Sequence, residues 1–589
     1  AVDGGSVTLP DGRRIPYPDL VDADLPGEQI TGAALLRPQV PGTPLGASQS
    51  RVDLPGKVSG SPAFVQDLEL PGMLHARVCR PPGPGARLAE VDEAAVARMP
   101  GVRAVVRDGS FLAVIAEREE QSLRALARLR RLARWEEAAA LPVSPRFMLE
   151  EPTLDVVIAD TPVQPDATHT VRRFSAEYSR PYLAHASLGP SCAVAVLHDG
   201  SYEVWSHSQG IFHLRQELAK VLRVDPGAIR VKHMEGAGCY GANAADDAAL
   251  DAALLARAVP ERPVRVQWMR DDEFGWEPLG TAMVVRLAAS VDGAGSILEW
   301  HHDVWGNGHR DRSGSDSPRN VTNLLAARHL ADPFEPSVPA PPPTLAGGSG
   351  RNAAPIYAFP SQRVVNHYVA RAPLRVSALR SLGAHANVFA IESFMDEIAS
   401  ELGIDPLAHR LRYLDDPRAV AVLESAARRA GWSGRPREEG HGLGIGFARY
   451  KNAACYVAVV AEVEVADDLA LRRVWAAVDA GLAINPDGLA NQVEGGIAQA
   501  ASWTLKEEVI FSTSRVTSRD WATYPILRFE DAPEIDVELL DRPGEPPLGV
   551  GEAVAGPTAA AIGNAIFAAT GARVRDMPLT RDRIIKALT

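Results

Sequence analysis

Apolar positions recur along this chain with two periods, and the chain divides where the period changes. Between residues 54 and 137, short apolar runs at 73–78 and 102–106 read as strands. The stretch 119–133, apolar at helical spacing, reads as a helix, so this part is a compact α+β unit. From about 150 to 400, strands such as 191–197 alternate with helices such as 212–222 and 244–258. A loop-rich interior at 306–358 contains Pro339-Ala340-Pro341-Pro342-Pro343 and Gly347-Gly348-Ser349-Gly350. The last part, 401–589, opens with a helix at 406–415 and passes through a strand at 455–465. It closes on a small-residue run, Ala559-Ala560-Ala561-Ile562-Gly563-Asn564-Ala565-Ile566. Residues 1–53 form a lead-in: Asp11-Gly12 between extended runs predicts a hairpin, and 27–46 is rich in Gly and Pro. No internal repeat is evident.

Composition narrows the class. A chain of 589 residues supports about three or four domains, and 46% hydrophobic with 23% charged residues is a globular balance. No apolar run reaches transmembrane length. The net charge of -13 argues against nucleic acid or an anionic membrane as the main partner. Cys79, Cys192, Cys239 and Cys455 are scattered and form no C-x-x-C pair, so neither a disulfide scaffold, a zinc ribbon nor an iron–sulfur cluster is encoded. His185, His301 and His302 have no metal-site spacing and read as surface or hydrogen-bonded residues. The chain begins at Ala1 with neither Met nor an apolar signal segment, consistent with a start that has been removed.

The clearest chemistry lies in Gly549-Val550-Gly551-Glu552-Ala553-Val554-Ala555-Gly556-Pro557-Thr558. One carboxylate sits on a glycine-lined turn into a helix, where backbone can come close to a bulky ligand and unpaired N–H groups favour an anion. Glu552 is a candidate general base; a carboxylate here would also simply favour the helix macrodipole.

Residues 56–79 resemble the opening of the "hammerhead" module of the xanthine dehydrogenase and aldehyde oxidase family, and residues 100–106 fit the same module. Residues 479–499 are similar to the family's D-x-G-x-x-I-N-P…Q-x-E-G-G-x-x-Q signature, and the Glu552 turn to its closing G-x-G-E motif. The motifs occur in order and the resemblance covers nearly the whole chain. It implies an α+β fold: a hammerhead domain at 54–140, then two molybdenum-cofactor-binding α+β domains at 141–400 and 401–589, the second carrying the catalytic Glu. It also implies a molybdenum hydroxylase, an oxidoreductase whose metal rides on a pyranopterin, in the molybdopterin cytosine dinucleotide form, with no metal ligand from the protein. Such an enzyme hydroxylates an electron-poor carbon with oxygen from water, and Glu552 takes up the proton as that oxygen attacks.

Other roles carry over by position. Gln209, closing Trp205-Ser206-His207-Ser208-Gln209, is expected to hydrogen-bond an oxo ligand of the cofactor; otherwise it is a solvent-facing glutamine. Residues 235–241 stand where the family has G-G-G-F-G, with Cys239 inserted and Tyr240 in place of Phe. Gly238, Tyr240 and Gly241 are the expected contacts there, against a plain Gly-rich turn, and Cys239 reads as a small packed residue. Arg380, in Arg380-Ser381-Leu382-Gly383-Ala384, resembles the R-G-x-G loop beside cofactor and substrate, and could equally be a structural ion-pair residue. Gln499, Gly551 and Thr558 complete the expected cofactor contacts, and Tyr240 and Arg380 the substrate pocket. Ala244 lies near the place where xanthine-oxidising members carry glutamate, which makes purines a poor first guess.

One family element is missing. The M-G-Q-G loop that contacts the pterin is not found between Arg449-Tyr450-Lys451 and Tyr456-Val457-Ala458. The gap resembles a rearranged branch containing isoquinoline, nicotinate and some membrane-linked aldehyde dehydrogenases, in which that half precedes a segment like Val7-Thr8-Leu9-Pro10-Asp11-Gly12-Arg13-Arg14. The chain is thus expected to be the C-terminal part of a split or cleaved subunit, sharing its cofactor with a second chain that carries the M-G-Q-G half. A separate iron–sulfur subunit is expected to take the electrons, with a flavin or cytochrome subunit as a further partner. The expected substrate is a small N-heteroaromatic compound hydroxylated next to the ring nitrogen; an aldehyde is the alternative, and a non-catalytic assembly paralogue the reading from another class. The expected location is cytoplasmic, or periplasmic if a partner carries the export signal.

Overall fold

The computed structural model describes residues 2–20, 45–137, 140–162, 172–309, 318–337, 340–341, 347–433 and 438–589. The Gly- and Pro-rich lead-in 27–46 lies outside these except for its last two residues, and only Ala340 and Pro341 of the proline run 339–343 lie within them. Two units separate, Ala1–Ala47 and Ser48–Thr589. In the first, Val2–Asp3, Ser6–Thr8 and Arg14–Pro16 form an antiparallel sheet in that order. Thr8 pairs with Arg14 around Gly12, whose φ of 87° is left-handed, so the hairpin expected at Asp11-Gly12 is present.

The second unit holds three larger sheets. A seven-stranded sheet runs in the order Ile229–His233, Ser201–Ser206, Cys192–His198, Val264–Gln267, Leu74–Val78, Phe111–Ala116, Val102–Asp108. All six residues of Phe111–Ala116 are buried, as their unbroken apolar run requires of an interior strand. The helix Glu119–Leu132 places Ser122, Ala125, Leu126 and Leu129 on its buried face and carries Glu119 and Glu120 in its first turn, Arg130 and Arg131 in its last. Elements before and after residue 140 therefore share one sheet. A five-stranded sheet orders Arg172–Arg180, Met283–Val291, Ile297–Gly306, Ser361–Val369 and Thr153–Thr161. A four-stranded sheet orders His441–Arg449, Tyr456–Val465, Leu469–Asp479 and Glu534–Leu539.

Glycine spacing explains how the C-terminal helix seats itself. Gly442, Gly444 and Gly446 alternate along His441–Arg449 and so share one face of the strand. A Cβ on them would lie 2.1 Å from the Ala565 carbonyl oxygen, 2.1 Å from the Ala565 nitrogen and 2.4 Å from the Pro557 carbonyl oxygen. Strand backbone thus touches the backbone of the helix Ala555–Thr570, and the small residues 559–565 make that approach possible. On the helix's other side, Gly556 meets Val388 and Gly563 meets Phe389, in the helix Ala384–Leu402. Contacts that ascend together in both segments make the two helices parallel, and their N-termini lie side by side.

The signature at 479–499 proves to be a structural turn leading into a helix. Asp479 accepts from the Arg418 and Arg542 side chains and from the Gly481 N–H. Gly481 has φ 65°, and a Cβ there would lie 2.0 Å from the Pro546 carbonyl oxygen. Asn485 caps the helix Pro486–Leu505 by accepting from the Gly488 N–H, with Pro486 at the first position.

Candidate active site

Because the helices Ala384–Leu402 and Ala555–Thr570 run parallel, the loops ahead of them meet. Glu552 Oε1 accepts the Ser381 backbone N–H at 3.1 Å, and the Ser381 hydroxyl donates to the Glu552 carbonyl at 2.5 Å. Arg380 ties three segments together. Its Nε donates to the Gly551 carbonyl at 2.5 Å, Nη1 to Gln499 Oε1 at 3.1 Å and Nη2 to the Gln492 carbonyl at 3.1 Å. Gln492, Gly496 and Gln499 stand at i, i+4 and i+7, on one face of Pro486–Leu505. Burial lowers the Arg380 pKa, and the Glu552 charge opposes that shift.

The Gly-rich loop joins from the other side. The Tyr240 carbonyl accepts the Arg380 N–H at 2.7 Å, and Gly241 bridges to Leu379. Gly241 has φ 145°, and a Cβ on it would sit 1.9 Å from the Ala378 carbonyl oxygen, so only glycine fits. Cys239 donates its thiol to the Gly241 carbonyl at 2.7 Å. His185 supports the same strand: its Nε2–H donates to the Ala378 carbonyl at 3.0 Å, while Nδ1 faces Glu277 Oε2 at 3.3 Å. Burial disfavours the protonated His185, but the Glu277 carboxylate outweighs burial and raises its pKa. His302 is buried and bonded to Asn387, whereas His301 is exposed.

A residue without a role in the sequence reading completes the carboxylate's surroundings. The Tyr450 hydroxyl donates to Glu552 Oε2 at 2.7 Å and accepts from Arg351 Nη1 at 2.7 Å, and Arg351 Nη1 lies 3.6 Å from the same oxygen. Burial and then the neighbouring Glu552 hold the Tyr450 phenol far above its ordinary pKa, so it is a donor at any physiological pH. Three left-handed loops of non-glycine residues converge here: Tyr240, Ser381 with Leu382, and Lys451 with Asn452. Such backbone strain is a mark of functional sites. Only the aromatic residue at a strand end, beside a connection shorter than the family's, hinted at Tyr450 in the sequence.

Glu552 keeps 35% of its side chain exposed. A Cβ on Gly495 or Gly549 would meet nothing within 4 Å, and on Gly551 only Gln492 Oε1 at 3.5 Å. Bare glycine backbone at Gly549 and Gly551, beside a carboxylate and amide side chains, leaves room for a large polar ligand such as a pyranopterin to approach. On Arg351's side a cavity of about 1330 Å³ adjoins the site, with Asn307, His309, Tyr368, Arg375 and Leu382 also on its wall. Burial, followed by the charges of Arg180 and Arg351, keeps the His309 pKa well below the ordinary value, so the ring is neutral.

Glu552, Arg380, Gln499, Gly551, Tyr240 and Gly241 are thus brought into one cluster. Gly238, at φ 109°, packs against the Tyr240 ring. Gln209 lies exposed between Ser201–Ser206 and Ile211–Leu222, where its amide is open to a ligand. Thr558 is fully buried and its hydroxyl donates to the Val554 carbonyl in its own helix, a geometry that offers nothing to a cofactor. Ala244 is fully buried in the core, so its side chain selects no substrate.

Comparison with known proteins follows the same outline. Residues 162–325 and 340–414 match the Molybdopterin cofactor-binding domain family, and 419–533 match a second family of that description. A nicotinate dehydrogenase subunit of Pseudomonas putida is 37% identical across 100% of this chain, which spans 50% of that protein's length. The beta subunit of isoquinoline 1-oxidoreductase from Brevundimonas diminuta is 29% identical over 91% of this chain and 68% of its own. Among solved structures, quinoline 2-oxidoreductase from Pseudomonas putida 86 superposes with a TM-score of 0.77 at 17% identity, covering 93% of this chain and 98% of that one. Aldehyde oxidoreductase from Desulfovibrio gigas gives 0.75 at 16%, over 94% and 82%. At such identities these structures establish a shared α+β fold.

Proposed function

The chain belongs to the molybdenum-cofactor-binding subunits of the xanthine dehydrogenase/aldehyde oxidase family, and from that premise we propose that it is the part of a molybdenum hydroxylase that carries the base. The observation that supports this most is the Glu552 carboxylate, held by the Ser381 N–H and the Tyr450 hydroxyl beside the open glycine backbone of Gly549 and Gly551. We assign Gln209, Gly238, Tyr240, Gly241, Arg380, Gln499 and Gly551 to the binding of the cofactor. Domains at 54–140, 141–400 and 401–589 are part of the proposal. When bound, the cofactor supplies a two-electron oxidation whose oxygen comes from water.

The chain's own residues do the rest. Glu552 removes a proton as that oxygen bonds to an electron-poor carbon, with Arg380 and the Gly-rich loop fixing the ligand's position and the adjoining cavity admitting the substrate. The overall change converts C–H and water into C–OH, two electrons and two protons. We take an N-heteroaromatic compound as the substrate, a choice supported by the nicotinate and isoquinoline relatives. The two electrons leave through a separate iron–sulfur subunit. A second chain shares the cofactor, in its cytosine dinucleotide form, and supplies the M-G-Q-G half. No helix among the described residues is long and apolar enough to cross a membrane.

The test is Glu552→Gln in the purified native complex, whose mass spectrum also names the partner chains. Gln keeps volume and a hydrogen-bonding carbonyl while losing basicity, so molybdenum content should hold while turnover of a heteroarene falls by about 10²- to 10⁴-fold. Near-normal turnover would remove Glu552 from the chemistry. Faster oxidation of aldehydes than of any heteroarene by the wild type would reassign the substrate, and a complex without molybdenum would point to an assembly paralogue.

A further inference from the structure

We propose that Tyr450 is the positioning residue of Glu552, an inference that rests on the reading of Glu552 as the base. Arg449 pairs with Tyr456 across the antiparallel strands His441–Arg449 and Tyr456–Val465, so a relaxed turn could have joined them. The connection found is instead held taut. Lys451 and Asn452 both take φ 56°, a left-handed conformation that is unfavourable for Lys451 and that asparagine tolerates better than most side chains.

Asn352, itself at φ 59°, pins this turn from outside the sheet. Its Nδ2 donates to the Arg449 carbonyl at 2.8 Å and to Asn452 Oδ1 at 3.0 Å, and its Oδ1 accepts the Lys451 N–H at 2.9 Å. Asn452 Nδ2 donates in turn to the Ala354 carbonyl at 2.8 Å. What the turn delivers is the Tyr450 ring, 4% exposed, with its hydroxyl on Glu552 Oε2.

Direction matters in this chain of contacts. Arg351 is always a donor, so the phenol oxygen accepts from it and the phenol proton is left for Glu552. The Ser381 N–H holds Oε1 and Tyr450 holds Oε2, which fixes the carboxylate plane while leaving one acceptor position on each oxygen for the reacting proton. A base so aimed works at near-attack geometry, and a misplacement of roughly 1 Å can cost about 10²-fold in rate. The turn that stands where other members carry a cofactor loop therefore serves the base.

Tyr450→Phe keeps the buried ring and removes only the donor. In the native complex kcat should fall about 10- to 100-fold, with KM within about twofold and with molybdenum content and melting temperature unchanged. A crystal structure of the variant should show the Glu552 carboxylate in more than one rotamer. On a Glu552→Gln background the same substitution should add no further loss, because Tyr450 acts through the carboxylate. An unchanged kcat, a single unaltered Glu552 rotamer, or a full additional loss on the Glu552→Gln background overturns the proposal and leaves the base reading standing. Normal turnover in Glu552→Gln alone would instead overturn the base reading.

Discussion

Replacing Gly444 with Ala tests the contact that sets the whole site in place. A Cβ at this position would stand 2.1 Å from the Ala565 nitrogen, 2.2 Å from the Ala561 carbonyl oxygen and 2.6 Å from the Asn564 carbonyl carbon, all backbone. Ordinary contact begins near 3.5 Å, so the helix Ala555–Thr570 would have to retreat by about 1.4 Å, the difference between 3.5 and 2.1. It has nowhere to go. Phe389 and Val388 close its opposite side at Gly563 and Gly556, where an added Cβ would itself come within 2.9 Å and 2.6 Å. Overpacking of a core commonly costs 1–3 kcal/mol, and a backbone contact closed on both sides belongs at or above the top of that range, about 3 kcal/mol. Spread over the unit Ser48–Thr589, with an unfolding entropy of about 2.1 cal/mol/K per residue, that lowers the melting temperature by about 3 °C. Differential scanning calorimetry reads the change directly. Gly495→Ala is the matched control: it lies in the middle of Pro486–Leu505 with nothing within 4 Å, and Ala should raise helix stability by up to about 1 kcal/mol. A Gly444→Ala protein melting within about 1 °C of the wild type would refute the backbone-on-backbone packing and, with it, the account of why Glu552 and Ser381 meet.

Two further outcomes follow from buried acids. Burial alone would raise the Asp479 pKa, but hydrogen bonds from Arg418, the Gly481 N–H and Arg542 outweigh it and hold the carboxyl below its ordinary value. Its stabilisation is therefore fully present above about pH 4 and lost as pH falls below that, and Asp479→Asn should lower stability by about 3 kcal/mol at pH 7 while leaving less to lose in acid. Glu507 behaves in the opposite sense. Burial raises its pKa to about 7 despite hydrogen bonds from Ser502 and Tyr524, so the folded protein loses stability as pH rises from about 4.5 to 7, by up to about 3 kcal/mol. Glu507→Gln should flatten that slope in urea titrations at pH 5 and pH 8; an unchanged slope would place the titration elsewhere.

The parts of the site legible in the sequence are those whose chemistry is local. Glycines flanking a carboxylate, an Arg before a small-residue loop, and Asn-Pro opening a helix each carry their reason within a few residues; the structure joins the first two by hydrogen bonds and caps the helix with Asn485. Helix and strand boundaries held to within one or two residues where the period was long: Glu119–Leu132 against 119–133, and Tyr456–Val465 against 455–465. The helix expected at 406–415 stops earlier, at Leu411, with Arg412 taking over as its cap. Thr558 misled because nearness to Glu552 in the chain is not nearness in space once a helix has begun. Inside Ala555–Thr570 every residue of the first turns is buried, since sheet and neighbouring helix cover it on opposite sides, and its hydroxyl is taken up by the carbonyl four residues back.

Tyr450 was illegible for the converse reason. Its partners Arg351 and Glu552 lie 99 and 102 residues away, and no pattern along a chain encodes contacts of that range. What does encode them is the order of packing. Alternating glycines on His441–Arg449 bring that strand under the helix of Glu552, so the far end of the strand, where Tyr450 follows Arg449, arrives beside the helix's N-terminus. The same close approach that requires glycine at 442, 444 and 446 thus carries a phenol to a carboxylate. A helix held farther from the sheet by larger side chains would keep the fold and lose that hydrogen bond.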